Sequence, residues 1–137
     1  MKNIDAKIEY LKSIQRIIDR LSNASFLLKG WTITLATALI TLAAKDSNLV
    51  FFVIAYFPTI IFWLLDSHYL KMERQYRVLF NENASLNKDL ESFSIEKPEE
   101  KREDKTLYWQ CFFSKTEILI YIPILVSTIL VMIVTAV

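Results

Sequence analysis

The sequence predicts an all-α membrane protein. Three transmembrane helices, an N-terminal amphipathic helix and a long second-span helix make it up, and that long helix extends into the cytoplasm as part of a helical bundle. Three observations lead there. The 53% apolar content is gathered into blocks near residues 26–44, 49–66 and 117–137, and such blocks favour hydrocarbon over water. One Gly and three Pro in 137 residues supply too little turn chemistry for a β protein. Between the blocks, apolar residues recur at steps of three and four, the helical period.

Residues 1–25 read as a cytoplasmic amphipathic helix. Ile4, Ile8, Leu11, Ile14, Ile18 and Leu21 form the apolar stripe, and Lys2, Asp5, Glu9, Lys12, Arg16, Asp19 and Arg20 fill much of the rest. The charges are mixed in sign, which favours packing on another helix over lying on a lipid surface. The stretch is not a signal peptide, because no small-residue cleavage site follows it closely.

Residues 26–44 form the first span, with Lys29 at one end able to snorkel and Trp31 just inside the interface. Residues 45–48, KDSN, form a tight turn, here expected to be periplasmic, that folds the first two spans into an antiparallel hairpin. Residues 49–66 form the second span. Pro58 within it is expected to kink the helix or free a carbonyl. Residues 67–80 continue the same rod, with Leu65, Tyr69, Met72, Tyr76 and Leu79 on one stripe. Asn48 to Phe80 would reach about 50 Å, well beyond a hydrocarbon core of about 30 Å, so the excess stands in water.

Residues 81–115 form a cytoplasmic charged linker. KPEEKREDK carries eight charges in nine residues, too polar to bury a core. Leu86, Leu90 and Phe93 offer a helical turn or two, and Asn83-Ala84-Ser85 matches a short glycosylation pattern. Tyr108, Trp109, Phe112 and Phe113 read as an interfacial belt ahead of the third span, residues 117–137. Fifteen of the sixteen Lys and Arg residues flank the spans on one side. The positive-inside rule makes that side cytoplasmic, placing the N-terminus inside and the C-terminus in the periplasm.

No enzyme motif appears, and neither a catalytic residue nor a cofactor is expected. The single Gly argues against a phosphate-cradling loop, and one Cys with one His argues against a metal site. Three constellations remain. Gly30, Thr34, Thr37 and Thr41 share one helix face, either for close helix packing or as a hydroxyl-lined conduit through an oligomer. Lys29 and Asp66 lie at similar depth on antiparallel neighbours and could pair across the hairpin. His68, Lys71, Arg74 and Arg77, at three-residue steps, could contact anionic lipid headgroups or bind an anionic ligand such as a nucleotide or oligonucleotide.

The order LLKGW (Leu27 to Trp31), KDSN, then FWLLDSHYLKMERQYRVLF (Phe62 to Phe80) resembles small two- and three-span membrane effectors of bacterial antiphage defence, including the SLATT class. The residues that carry the likeness are Lys29, Gly30, Trp31, Asp66, Tyr69, Glu73, Arg74 and Arg77. The resemblance implies a homo-oligomer, tetramer or larger, in the bacterial inner membrane. It also implies pairing with a cytoplasmic nucleotidyltransferase or sensor whose nucleotide signal gates permeabilisation. An accessory membrane subunit without conduction is the alternative expectation.

Overall fold

A computed structural model describes residues 2–46, 49–84 and 104–136. Helix α1 spans Lys2–Asp46, α2 Leu49–Ala84, α3 Asp104–Phe112 and α4 Lys115–Ala136. Among the described residues only Phe113 and Ser114 lie outside a helix. Three helices among these residues, α1, α2 and α4, are long and apolar enough to cross a membrane.

Helix α1 runs 45 residues without a break, about 70 Å at 1.5 Å per residue. The amphipathic segment and the first span are therefore one rod. Nothing stops it, because the whole stretch holds no Pro and only Gly30, which sits where an added Cβ would meet open space. Asp5 in its first turn and Lys45 in its last complement the helix dipole. Helix α2 is the unbroken rod expected from its composition, 36 residues with Pro58 inside it. Proline has no amide hydrogen to donate, so the Ile54 carbonyl lacks its helical partner. The last turns of α1 and the first of α2 flank residues 47 and 48, which with Leu86, Leu90 and Phe93 lie outside the described residues.

α1 and α2 lie antiparallel along their length. Near one end Tyr10, Ile14, Ile18 and Leu21 of α1 bury against Tyr76 of α2, with Tyr69, Met72, Leu79 and Phe80 packed around them. The expected stripes are trimmed at three positions. Ile4, Ile8 and Leu65 are exposed. Ile4 and Ile8 sit roughly 80° and 120° around the helix from Ile14, and Tyr10 fills the place they would have taken. At the level of Leu65 the buried face of α2 is set by Trp63 and Asp66, and Leu65 is turned about 100° from Asp66.

The other end of the pair is apolar outside and mixed inside, where Ala36, Ala43, Phe52 and Ala55 are buried together with polar groups. Its buried side chains include Thr32, Thr59, Asp66, Ser67, Glu117 and Thr128, whereas Phe26, Leu27, Val53, Phe57, Leu119 and Val134 face outward. Water would penalise so much contiguous apolar surface, and hydrocarbon would not. The two ends thus differ along the same rods: an apolar core near Ile14, and near Thr32 an interior that mixes Thr32, Thr59 and Ser67 with Ala36, Phe52 and Ala55 beneath an apolar exterior.

Candidate functional site

Where the two regimes meet, three helices each supply polar side chains to one buried cluster. α1 supplies Ser25 and Lys29, four residues apart and therefore on one face. α2 supplies Asp66. α4 supplies Glu117 and, one turn on, Tyr121. Lys29 Nζ donates to Ser25 Oγ at 2.8 Å, to Glu117 Oε1 at 2.9 Å and to Asp66 Oδ2. Asp66 also accepts from the Ser25 hydroxyl at Oδ1 and from the Tyr121 hydroxyl at 3.0 Å. Both carboxyl groups have side chains 0% exposed and Lys29 is 13% exposed.

The hairpin pair expected between Lys29 and Asp66 is therefore present, and it is larger than the sequence indicates. An ammonium has three donors, and here each has an acceptor. The Asp66 carboxylate has three donors. Glu117 is less well served: Oε1 meets Lys29, while Oε2 is buried without a hydrogen-bond partner among the described residues.

Aromatic packing fixes α4 against this cluster. The Trp63 ring lies between Phe112, 4.3 Å away between centroids and 10° from parallel, and Tyr121, 5.5 Å away and 5° from parallel. The Trp63 indole N–H donates to the Phe112 carbonyl at 3.3 Å, and the Tyr108 hydroxyl donates to the Leu64 carbonyl at 3.2 Å. The belt residues Tyr108 and Phe112 are thus half-buried against α2, whereas Trp109 and Phe113 stack on each other and stay exposed. Ser114 opens α4 by accepting the Ile118 amide at 3.0 Å.

Among the described residues, nothing packs on the Gly30, Thr34, Thr37 and Thr41 face. All four residues are exposed. The face of α1 that does pack carries Thr32, Ala36 and Ala43, roughly half a turn away. Thr34 donates to the Gly30 carbonyl at 2.9 Å and Thr41 to the Thr37 carbonyl at 2.7 Å.

The four basic residues do not form a single free flank. Each three-residue step falls about 60° short of a turn, so His68 and Arg77 end about half a turn apart. His68 is exposed; Lys71 and Arg74 are half-buried near α3. Arg77 is tied to Glu73 Oε1 through Nη2 at 2.8 Å and Nε at 2.9 Å. Asn83, of the glycosylation pattern, is buried within α2 and donates to the Leu79 carbonyl at 2.8 Å.

Sequence reading missed Ser25, Glu117 and Tyr121 as members of the cluster. The available signal was two polar pairs at four-residue spacing, each at the mouth of a span. Ser114 and Glu117 also have the spacing of a helix capping box, which would assign Glu117 a purely local task; its carboxyl reaches another helix instead.

Comparison with known families, characterised proteins and solved structures finds no match for this chain. Fold and cluster alone define its class, a multi-pass helical membrane protein with a buried charged centre linking its three long helices.

Proposed function

We propose that this chain is an inner-membrane effector of bacterial antiphage defence. Copies associate and permeabilise or depolarise the membrane as a channel, gated by a nucleotide or oligonucleotide signal from a partner nucleotidyltransferase or sensor. The paired outer half of α1 and α2, near Ile14 and Tyr76, stands in the cytoplasm and receives the signal. The observation that carries the reading is the outward position of Gly30, Thr34, Thr37 and Thr41. Three helices enclose no conduit by themselves, so a hydroxyl-bearing face directed away from its own chain becomes useful when other copies cover it. The likeness to SLATT-type effectors supports the same reading. The basic residues bear on it less directly, since within one chain Arg77 is occupied by Glu73. An anionic ligand would draw on basic residues such as His68 and Arg74 gathered from several copies.

Dye influx into bacteria expressing the chain, with and without the partner signal, tests the proposal. Leak on triggering supports it; a detergent-purified monomer that never leaks under any trigger would falsify it.

One observation favours a second reading, an accessory subunit without conduction. Thr34 and Thr41 already donate to carbonyls of their own helix, so the face tolerates lipid or another helix equally well. Replacing Thr34, Thr37 and Thr41 together by Val separates the two. Lost leak with assembly intact favours the conduit, and lost assembly favours packing alone.

A further inference from the structure

The buried cluster does not balance its charge. Two carboxyl groups, Asp66 and Glu117, are fully enclosed with one ammonium, Lys29. If both were ionised, one negative charge would remain where no water reaches it. Lys29 Nζ bridges Asp66 Oδ2 and Glu117 Oε1, so the two carboxyl groups lie close together, and like charges so close resist joint ionisation.

We propose that Asp66 and Glu117 form a proton-binding site that holds one exchangeable proton between them, carried on Glu117. The hydrogen-bond pattern decides which partner carries it. Asp66 accepts from Ser25, Lys29 and Tyr121, the pattern of an ionised carboxylate. Glu117 accepts once, and its second oxygen is buried without a partner among the described residues. A metal ion is the poorer occupant, because Lys29 Nζ already sits among the oxygens such an ion would need. The surrounding groups from each packed element are few. α1 presents Lys29, Ser25 and Thr32, the last beside the Tyr121 hydroxyl. α2 presents Asp66. α3 presents the buried Cys111 thiol, with Lys71 and Arg74 of α2 on the Cys111 side. α4 presents Tyr121 and the amides of its own first turn, which favour an anion at Glu117 and oppose the proton.

The proton passes to water when the packing of α4 on α1 and α2 is undone. The packed arrangement then binds one more proton than the opened one, so packing is strongest at low pH and weakens as pH rises above the ordinary range of a Glu carboxyl. Over that window the opening equilibrium shifts by about tenfold per pH unit.

The test uses the full chain in lipid nanodiscs. Infrared difference spectra at neutral pH should contain a protonated-carboxyl stretch that Glu117→Gln removes. The melting temperature should be higher at about pH 5 than at about pH 8 in the native chain and the same at both in Glu117→Gln, whose amide has the shape of the protonated acid. Asp66→Asn should destabilise the packing at every pH, since it removes the charge that Lys29 needs. The proposal is overturned by a native spectrum without the stretch, by a stretch that survives Glu117→Gln, or by unfolding of Glu117→Gln. Stability that follows sodium rather than pH overturns it equally.

Discussion

At the scale of single residues, Lys29 is the side chain on which most depends. It is the cation that offsets Asp66, and it touches Glu117 as well. Removing one partner of a buried ion pair strands the other in a medium that solvates it poorly. Lys29→Met keeps the volume and deletes the charge. It is expected to cost about 3–5 kcal/mol in reversible unfolding from mixed micelles; a change below about 1 kcal/mol would show that the cluster is not enclosed as described. Cys111 offers a second check. It is fully buried, and burial pushes its thiol up, outweighing the opposite pull of Arg74 and Lys71. Only the thiolate attacks a maleimide. Labelling should be at least about tenfold slower in the folded chain than in denaturant, and equal rates would mean that α3 does not cover it.

At the scale of elements, stability is divided between two unlike regions of the same rods. Near Ile14 the α1–α2 contact is an ordinary apolar core. Ile14 is 0% exposed and Ile4 is 64% exposed, although both belong to the stripe read from the sequence. Ile14→Ala should therefore destabilise by about 2–5 kcal/mol and Ile4→Ala by no more than about 0.5 kcal/mol. Thermal or denaturant unfolding followed by circular dichroism distinguishes them, and equal effects would mean a different rotation of α1. Beside the cluster, α4 is held by the Trp63 stack as well as by charge. Trp63→Ala empties the space between Phe112 and Tyr121. It should loosen α4 while leaving the Ile14 region folded, which protease mapping of the 104–114 segment would register as new cleavage.

At the scale of the whole molecule, the cluster sits where outward-facing polar surface gives way to outward-facing apolar surface. A buried ion pair adds little net stability compared with apolar packing, yet wrong alignments of the helices would leave its charges unpaired. The cluster therefore disfavours any register of the three rods other than the one that pairs its charges. The topology is open to direct measurement. With Cys111 replaced by Ser, a thiol introduced by Val78→Cys should resist an impermeant maleimide added outside intact bacteria and react once the membrane is opened. Labelling from outside would reverse the orientation and remove the basis for a cytoplasmic signal.

The sequence alone determined the helical class, the three apolar rods and the continuity of α2, and it put Lys29 and Asp66 at similar depth, where they could pair. Each of these follows from local quantities: block hydropathy, the 3.6-residue period, and a short connection that brings two rods side by side. Rotation was less legible. Stripe residues such as Ile8 and Leu65 proved exposed, because a helix's buried face is set by where its neighbour crosses it. Only the tertiary structure decided that Gly30, Thr34, Thr37 and Thr41 point away from their own chain, and that Glu117 and Tyr121 join a site begun almost ninety residues earlier. Glu117 lies 88 positions from Lys29, and no periodicity reaches across that distance. Its partner is chosen by the docking of α4, through the Trp63 stack and the burial of charge, and those are properties of three helices together.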